Sequence, residues 1–198
     1  MAEVPAVIAP AQLAGDGLSL RPYRADDARA LHAAVQESHA SVGRWLTWCR
    51  ADYSEADAAA WITLCTNAWA KGDQYTFAIF DAAAGQFLGA AGLTHCTCES
   101  NFAGLGYWVR DAARGHNVAA RAGRLVAAFG FDTLKLTRIE VIAAADNHAS
   151  RRAAENIGAR LEGIARNRVA TPHGVVDAAV YGLIPSDYAE AQIRATSS

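Results

Sequence analysis

The chain has 198 residues, of which 52% are hydrophobic and 19% are charged, and its formal net charge is -2. This length suits one domain with a core of its own, so neither disulfides nor metal ions are needed for folding. The near-neutral charge and the lack of a Lys/Arg run argue against nucleic acid, because phosphate-backbone binding requires clustered cations. No apolar run approaches the roughly 20 residues that span a bilayer, so no membrane partner is predicted.

The four cysteines show no metal-ligand spacing, because only one residue separates Cys96 from Cys98 and no matching second pair follows. We therefore predict no metal and reduced thiols. The N-terminus lacks a basic leader, and Pro5 and Pro10 interrupt its apolar stretch. This pattern is not that of a signal peptide, so a cytoplasmic location is expected.

The predicted elements begin after an N-terminal arm over residues 1–17, with an alternating strand at 18–23. Asp26 offers an N-cap for a first helix. Ser54 and Asp57 form a capping-box pattern at the start of a second helix, which ends at Gly72. Three strands follow at 75–80, 87–95 and 102–109, separated by turn residues.

The second half of the chain alternates helices and strands. Helices are predicted at 118–131 and from Asp146 or Asn147 to Ile157, where Gly158 ends the second one. Strands are predicted at 138–144, 161–169 and 175–183, and the tail over 186–198 is expected to be partly disordered. The order β-α-α-β-β-β-α-β-α-β-β indicates one mixed α/β domain over 18–185 with a mainly antiparallel first half. The fold class expected is a central, mostly antiparallel sheet with helices on both faces, as the family resemblance given below implies.

The connection between the strand at 102–109 and the helix at 118 contains Arg114, Gly115, His116 and Asn117. A strand–loop–helix connection of this kind directs backbone N–H groups and the positive end of a helix at one point, which suits a phosphate. Each charge–dipole contact is worth only about 0.3–1 kcal/mol, so several donors together with Arg114 would be needed to hold a pyrophosphate. The alternative is an ordinary turn without a ligand.

Residues Arg114 to Ala119, R-G-H-N-V-A, resemble the acetyl-CoA motif R/Q-x-x-G-x-G/A of the GNAT acyltransferase family. Arg114 and Ala119 match its first and last positions, whereas Asn117 replaces the glycine of the fourth. Asn adopts left-handed backbone angles more readily than most residues, so the turn can survive. The alternative is that its side chain crowds the phosphate and weakens cofactor binding.

Gly106–Val109 resembles the end of the fourth strand of that family, which runs beside the pantetheine arm. Three further segments resemble its RimJ/RimL-like branch, in the same chain order: Glu37-Ser38 with Arg44–Trp48, Asp146–Ser150 with Glu155–Ala159 and Glu162-Gly163, and Asp177–Tyr181. The resemblance covers about residues 18–184. It implies the GNAT acyl-CoA N-acyltransferase fold, acetyl-CoA as the acyl donor and an amine as the acceptor.

The resemblance also implies roles for individual residues on the donor side. Backbone groups near Trp108 and Val109 would bind the pantetheine arm and the thioester carbonyl, and the loop with Val118 and Ala119 at the helix start would bind the pyrophosphate. Asn147 would bind the pantetheine arm, or serve only as an N-cap. Ser150 would protonate the departing thiolate, or be an ordinary polar residue of the first helical turn. The Trp108 side chain and His116 have the plainer alternatives of core packing and a solvated loop.

The general base is where the chain departs from its relatives. RimL-like chains often carry a glutamate two residues before the Gly-Tyr-Trp triplet, and here Gly104 stands at that position. Glu99 and His95 could act through water, or be ordinary polar residues. An α-amine is roughly 10–15% neutral at pH 7 and a lysine amine about 0.04%, a difference of about 3.5 kcal/mol. We therefore expect an α-amine acceptor, such as a protein N-terminus.

Trp45 and Trp48 lie in the connection between the first two helices. In this fold that connection borders the acceptor groove, so the two rings either line the groove or anchor the helix pair to the core. An exposed edge strand near the C-terminus would allow a homodimer. Two other functions stay open: N-acetylation of small amines such as polyamines, amino acids or amino sugars, and acyl-CoA binding with little catalysis.

Overall fold

A computed structural model describes residues 12–97 and 101–196, with side chains described except at 95–97 and 191–196. Within these residues eight strands form one sheet: β1 (Leu13–Gly15), β2 (Leu18–Pro22), β3 (Tyr75–Asp81), β4 (Phe87–Thr97), β5 (Phe102–Val109), β6 (Arg138–Ala144), β7 (Arg160–Thr171) and β8 (Gly174–Leu183). Their order across the sheet is β1-β2-β3-β4-β5-β6-β8-β7. Neighbours run antiparallel except β5 and β6, which are parallel. The prediction of a mixed, mostly antiparallel α/β fold is confirmed.

Five α-helices accompany the sheet: α1 (Ala28–Ser38), α2 (Glu55–Lys71), α3 (Val118–Ala128), α4 (His148–Ile157) and α5 (Pro185–Thr196). Leu31 of α1 and Ile62 of α2 are buried with Ala90 of the sheet, whereas Val126 of α3 and Ile157 of α4 belong to a separate core cluster. Because successive strand residues point to opposite faces, the sheet has an α1/α2 face and an α3/α4 face. No helix among the described residues is long and apolar enough to cross a membrane.

The two ends of the described chain differ from the sequence-based expectation. Leu13–Gly15 pair with β2 through a two-residue turn in which Asp16 and Gly17 have φ of 51° and 73°, the geometry that an Asp-Gly hairpin favours. The prediction of a partly disordered tail is wrong for residues 185–196, which form α5. Pro185 suits the first position of a helix, and the Tyr188 ring lies 5.4 Å from that of Phe131.

Two helix ends differ from the positions that the sequence predicted. A 3-10 turn over Ala25–Asp27 precedes α1, and the Asp27 carboxylate, not that of Asp26, accepts the Arg24 N–H at 2.7 Å and pairs with Arg21 at 2.7 Å. Helix α3 ends at Ala128 and continues as a π-helical turn over Phe129–Thr133, where the sequence predicted one helix.

The parallel pair β5–β6 is short, and this opens a cleft between the two strands. Only Phe102, Ala103 and Gly104 of β5 pair with β6, whereas β5 continues to Val109 and β6 to Ala144. Each strand keeps its antiparallel partner on the other side along this stretch. The two strands therefore diverge beyond Gly104, and a cleft opens between residues 105–109 and 141–144.

Candidate active site

The loop before α3 presents a row of free backbone donors at one end of the cleft. Gly115 and Asn117 have positive φ, 82° and 56°, and the loop residues are exposed. Within the described chain, the backbone N–H groups of residues 115–120 donate no hydrogen bond, as expected for the first turn of a helix. A Cβ at Gly115 would meet nothing within 4 Å. Converging donors, open space and the positive helix end fit a diphosphate group.

Asn117 occupies the position where the motif has glycine, and its side chain turns away from the free donors. The backbone lies in the left-handed region, with φ 56° and ψ 23°, which asparagine tolerates. Its side-chain oxygen accepts a hydrogen bond from the Asn156 amide of α4 at 3.3 Å. The side chain therefore connects the loop to α4 instead of filling the space in front of the N–H groups.

The C-terminal end of α1 fixes the segment that leads into this loop. The Glu37 carboxylate pairs with Arg110 and accepts the Ala112 N–H at 2.6 Å. The hydrogen bond from Arg110 lowers the pKa of Glu37 below its ordinary value. The Glu37 and Arg110 side chains are 29% and 18% exposed, so this pair is a partly exposed brace for the segment.

A second set of contacts from α1 reinforces the brace. The Asp111 N–H donates to the Ser38 hydroxyl at 3.0 Å, and the Ser41 hydroxyl donates to the Asp111 carboxylate. Arg114, the first residue of the motif, pairs with the same carboxylate at 3.2 Å and is about half exposed. Asp111 thus holds Arg114 beside the loop while leaving it accessible to an anion.

Two hydroxyl groups meet across the middle of the cleft on the α3/α4 face. The Tyr107 hydroxyl of β5 donates to the Ser150 carbonyl of α4 at 2.8 Å, and the Ser150 hydroxyl donates to Tyr107 at 3.4 Å. Burial raises the pKa of Tyr107 to about 12, so this phenol stays protonated at neutral pH. The pair places the Ser150 hydroxyl beside the gap between the strands.

Asn147 is the N-cap of α4, one of the two candidates, Asp146 and Asn147, that the sequence offered. Its side-chain oxygen accepts the Ser150 N–H at 3.1 Å, which satisfies one of the free donors of the first turn. Its amide nitrogen donates no hydrogen bond to any described residue. Capping therefore uses one end of the side chain and leaves the other end available to a ligand.

The α1/α2 face of β5 is nearly bare next to the cleft. Gly104, Gly106 and Trp108 occupy every second position of β5 and therefore lie on this face. A Cβ at Gly106 would meet nothing within 4 Å. Trp108 packs against the α1/α2 core. Trp48, 37% exposed, contacts the Trp108 ring edge-to-face at 5.4 Å. On this face the floor of the cleft, at Gly104 and Gly106, therefore consists of backbone atoms. The rings of Trp48 and Trp108 border it at one end.

The remaining predicted residues take simpler places. Trp45 lies under the Arg44 guanidinium, with 5.0 Å between the charged carbon and the ring centroid, and among the described rings it has no contact with Trp48 or Trp108. His116 is exposed, and Val118 is buried at the start of α3 next to the half-buried Ala119. The Val109 side chain packs into the α3/α4 core. Glu99 lies outside the described residues, as does the side chain of His95.

For some residues of the site, the sequence did not predict a role. Tyr107 was matched as part of a motif, but its contact with Ser150 joins residues 43 positions apart. Glu37 and Ser38 were likewise matched without a role, because their contacts with the loop span more than 70 residues. Strand alternation predicts that Tyr107 and Trp108 point to different faces of the sheet. No local signal identifies Ser150 as the partner of Tyr107, or the loop as the partner of Glu37 and Ser38. Among the described residues, no group of three or more His, Cys, Asp or Glu is arranged to hold a metal ion.

Comparisons with known proteins agree with this geometry. Residues 18–160 match the family model described as Acetyltransferase (GNAT) domain. The chain is 30% identical over 160 residues to YjcK of Bacillus subtilis, described as a probable N-acetyltransferase, covering 79% of this chain and 88% of that protein.

Solved structures of other proteins show the same fold. A Vibrio cholerae protein described as a ribosomal-protein-serine acetyltransferase superposes with a TM-score of 0.78 at 28% identity, covering 88% of this chain and 97% of that one. RimJ of Mycobacterium smegmatis, solved in complex with CoA-disulfide, superposes with a TM-score of 0.82 at 21% identity, covering 90% and 89%. The chain therefore belongs to the GNAT acetyltransferase family and is an acetyltransferase whose acyl donor is acetyl-CoA.

Proposed function

We propose that this enzyme transfers the acetyl group to an α-amine, with a protein N-terminus as the acceptor, by direct attack and without a covalent enzyme intermediate. The observation that carries the proposal is the cleft beyond Gly104, which opens between β5 and β6. Its α3/α4 side has the free N–H groups and the two hydroxyls, and its α1/α2 side has a backbone floor. Donor and acceptor can therefore meet in the cleft from opposite faces.

On the donor side, the N–H groups of residues 115–120 and Arg114 would bind the pyrophosphate. The edge of β5 that faces the cleft would bind the pantetheine arm through backbone groups near Trp108 and Val109, and the free amide nitrogen of Asn147 would bind it from the other side. Ser150 would give its proton to the departing thiolate. The contact of Ser150 with the Tyr107 hydroxyl supports this role, because it holds the donor at the gap.

On the acceptor side, Gly104 and Gly106 leave room for an extended chain end, and Trp48 with Trp108 would contact the first side chains of a peptide. Gly104 places no carboxylate at the position where RimL-like chains often carry a glutamate. Deprotonation at pH 7 costs an α-amine about 3.5 kcal/mol less than it costs a lysine amine. The absence of that glutamate therefore favours an α-amine as the acceptor. The name of the Vibrio cholerae relative, a ribosomal-protein acetyltransferase, also supports a protein acceptor.

The test is release of CoA thiol from acetyl-CoA with three acceptor pools. The first pool holds short peptides with free N-termini and no lysine. The second holds the same peptides with the N-terminus blocked and one internal lysine added, as a matched control. The third holds polyamines, amino acids and amino sugars. We expect turnover with the first pool and at least 100-fold less with the second at pH 7.

Each other outcome has a defined meaning. Faster turnover of the lysine peptides would contradict the choice of an α-amine. Turnover of small amines alone would keep the acetyltransferase and refute the protein acceptor. Binding of acetyl-CoA with no turnover in any pool would favour an acyl-CoA-binding protein with little catalysis.

A further inference from the structure

Acetyl transfer requires the acceptor amine to lose a proton before it attacks. Most of an α-amine is protonated at pH 7, so a proton acceptor near the attacking nitrogen would speed the reaction. The carboxylates of Glu37 and Asp111 already hold the loop at the far end of β5. A proton acceptor would have to lie nearer the point where the strands diverge, on the face from which the amine arrives.

Glu140 of β6 has that position. It is the partner of Gly104 in the last residue pair of the parallel ladder, so it lies at the point where the cleft begins. Its neighbours Ile139 and Val141 belong to the α3/α4 core. Strand alternation therefore directs Glu140 to the α1/α2 face, the same face as the bare floor at Gly104 and Gly106.

The contacts of Glu140 hold its carboxylate in place and leave part of it accessible. One oxygen accepts a hydrogen bond from the Arg138 guanidinium at 3.0 Å. Among the described residues, the other oxygen has no hydrogen-bond partner. The side chain is 25% exposed. It is therefore oriented by one neighbour while still open to water and to an incoming amine.

The local charge also favours an ammonium group. Arg138 also pairs with Glu162 of β7, donating from Nη1 at 2.8 Å and from Nη2 to the other oxygen, so one guanidinium lies between two carboxylates. Strands β5 and β8 contribute only Gly104 and Gly182 beside Glu140, which bring no charge. One negative charge among these described groups is left unbalanced, and a cationic acceptor would be attracted to it.

We propose that Glu140 is the proton acceptor for the acceptor amine, which deepens the proposed function and rests on it. The ammonium gives one proton to the Glu140 carboxylate, directly or through one water. The freed nitrogen lone pair forms the C–N bond with the thioester carbon, and the C–S bond breaks with its electron pair on sulfur. Ser150 protonates the thiolate and regains a proton from the nitrogen through solvent. Glu140 then releases its proton to water.

The test compares Glu140→Gln with Glu162→Gln, which removes the other carboxylate that shares Arg138. With a peptide acceptor at pH 7, we expect kcat/KM of Glu140→Gln to fall about 10- to 100-fold, which reaches the lower end of the range for a proton-transfer group. Glu162→Gln should stay within about twofold of the wild type. At pH 9 about 90% of a free α-amine is neutral, so the deficit of Glu140→Gln should shrink to a few-fold.

A transplanted carboxylate gives an independent check. Gly104 lies on the neighbouring strand, and a Cβ there would meet the Thr94 hydroxyl at 3.3 Å, a contact that a small side-chain movement relieves. The double variant Glu140→Gln/Gly104→Glu should recover at least a third of the wild-type kcat/KM. Melting temperature and acetyl-CoA affinity are measured for every variant, so that loss of folding is separated from loss of proton transfer.

The outcomes separate the two proposals. An active wild type with an equally active Glu140→Gln would overturn the role of Glu140 and leave the proposed function intact. An equal loss at pH 7 and pH 9, without recovery in the double variant, would show that Glu140 only supports the structure. A wild type that turns over no amine would refute the proposed function itself.

Discussion

Helices α3 and α4 touch where Gly123 meets Ile157, and this contact sets the distance between the two halves of the donor site. A methyl group at Gly123 would lie 2.4 Å from the Cδ1 atom of Ile157 and 2.8 Å from its Cγ1 atom. Both distances are below 3.0 Å, which real Cβ contacts essentially never show. The substitution Gly123→Ala must therefore push α4 away or force Ile157 out of its rotamer.

Two opposing effects set the size of the change. Overpacking of a well-packed core costs about 1–3 kcal/mol. Alanine is favoured over glycine inside a helix by about 1 kcal/mol. Because the clash at 2.4 Å is severe, we take the upper part of the overpacking range, about 2–3 kcal/mol. The net loss in the free energy of unfolding is then about 1–2 kcal/mol, which lowers the melting temperature by about 2–8 °C for a chain of this size.

Thermal and urea unfolding of four variants test this reasoning. Ile157→Val alone should cost about 0.5–1.5 kcal/mol, and the double variant Gly123→Ala/Ile157→Val should be more stable than the sum of the two singles, because the shorter side chain relieves the clash. Gly163→Ala is the control, since a Cβ there meets nothing within 4 Å. An unchanged or higher melting temperature for Gly123→Ala would show that the helices are not in this close contact.

Three further predictions concern the site. Ser150→Ala should lower kcat about 100-fold with unchanged acetyl-CoA affinity by calorimetry; an unchanged kcat would remove Ser150 as the proton donor. Gly106→Leu should raise the acceptor KM at least tenfold with little change in acetyl-CoA KM, and the reverse pattern would place the acceptor on the other face. Glu37→Gln should destabilise the protein at pH 7. Because the folded pKa of Glu37 is lowered, its stabilisation is present above the ordinary value of 4.5 and is lost as pH falls through the folded value. The difference from the wild type should therefore vanish in acid, as urea unfolding at several pH values would show.

Local signals predicted much of the fold. The capping box of Ser54 and Asp57 is present, with the Asp57 N–H donating to the Ser54 hydroxyl at 3.1 Å, and Gly72 ends α2 in the left-handed region. Both depend on residues within one turn of each other, so the sequence alone was sufficient. Strand β1 has only three residues, which are too few for an alternation signal. Helix α5 begins at Pro185, and a proline marks the start of a helix as well as the chain that follows one, so the sequence did not predict it.

The site was less predictable because its contacts join distant parts of the chain. The loop and the cap at Asn147 could be recognised from neighbouring residues. In contrast, the pairing of Gly104 with Glu140 depends on the register of two parallel strands, and the contact between Tyr107 and Ser150 depends on how far those strands diverge. No pattern within either strand carries that information.

The short ladder between β5 and β6 has a mechanical consequence. Three residue pairs join one leaf of the sheet, β1 to β5, to the other leaf, β6 to β8. Beyond them the leaves are held together through α3 and α4 and not through backbone hydrogen bonds. We therefore expect a substrate bound in the gap to link the two leaves and to make the protein more rigid. Catalytic turnover would accordingly be accompanied by a cycle of stiffening and loosening along this seam.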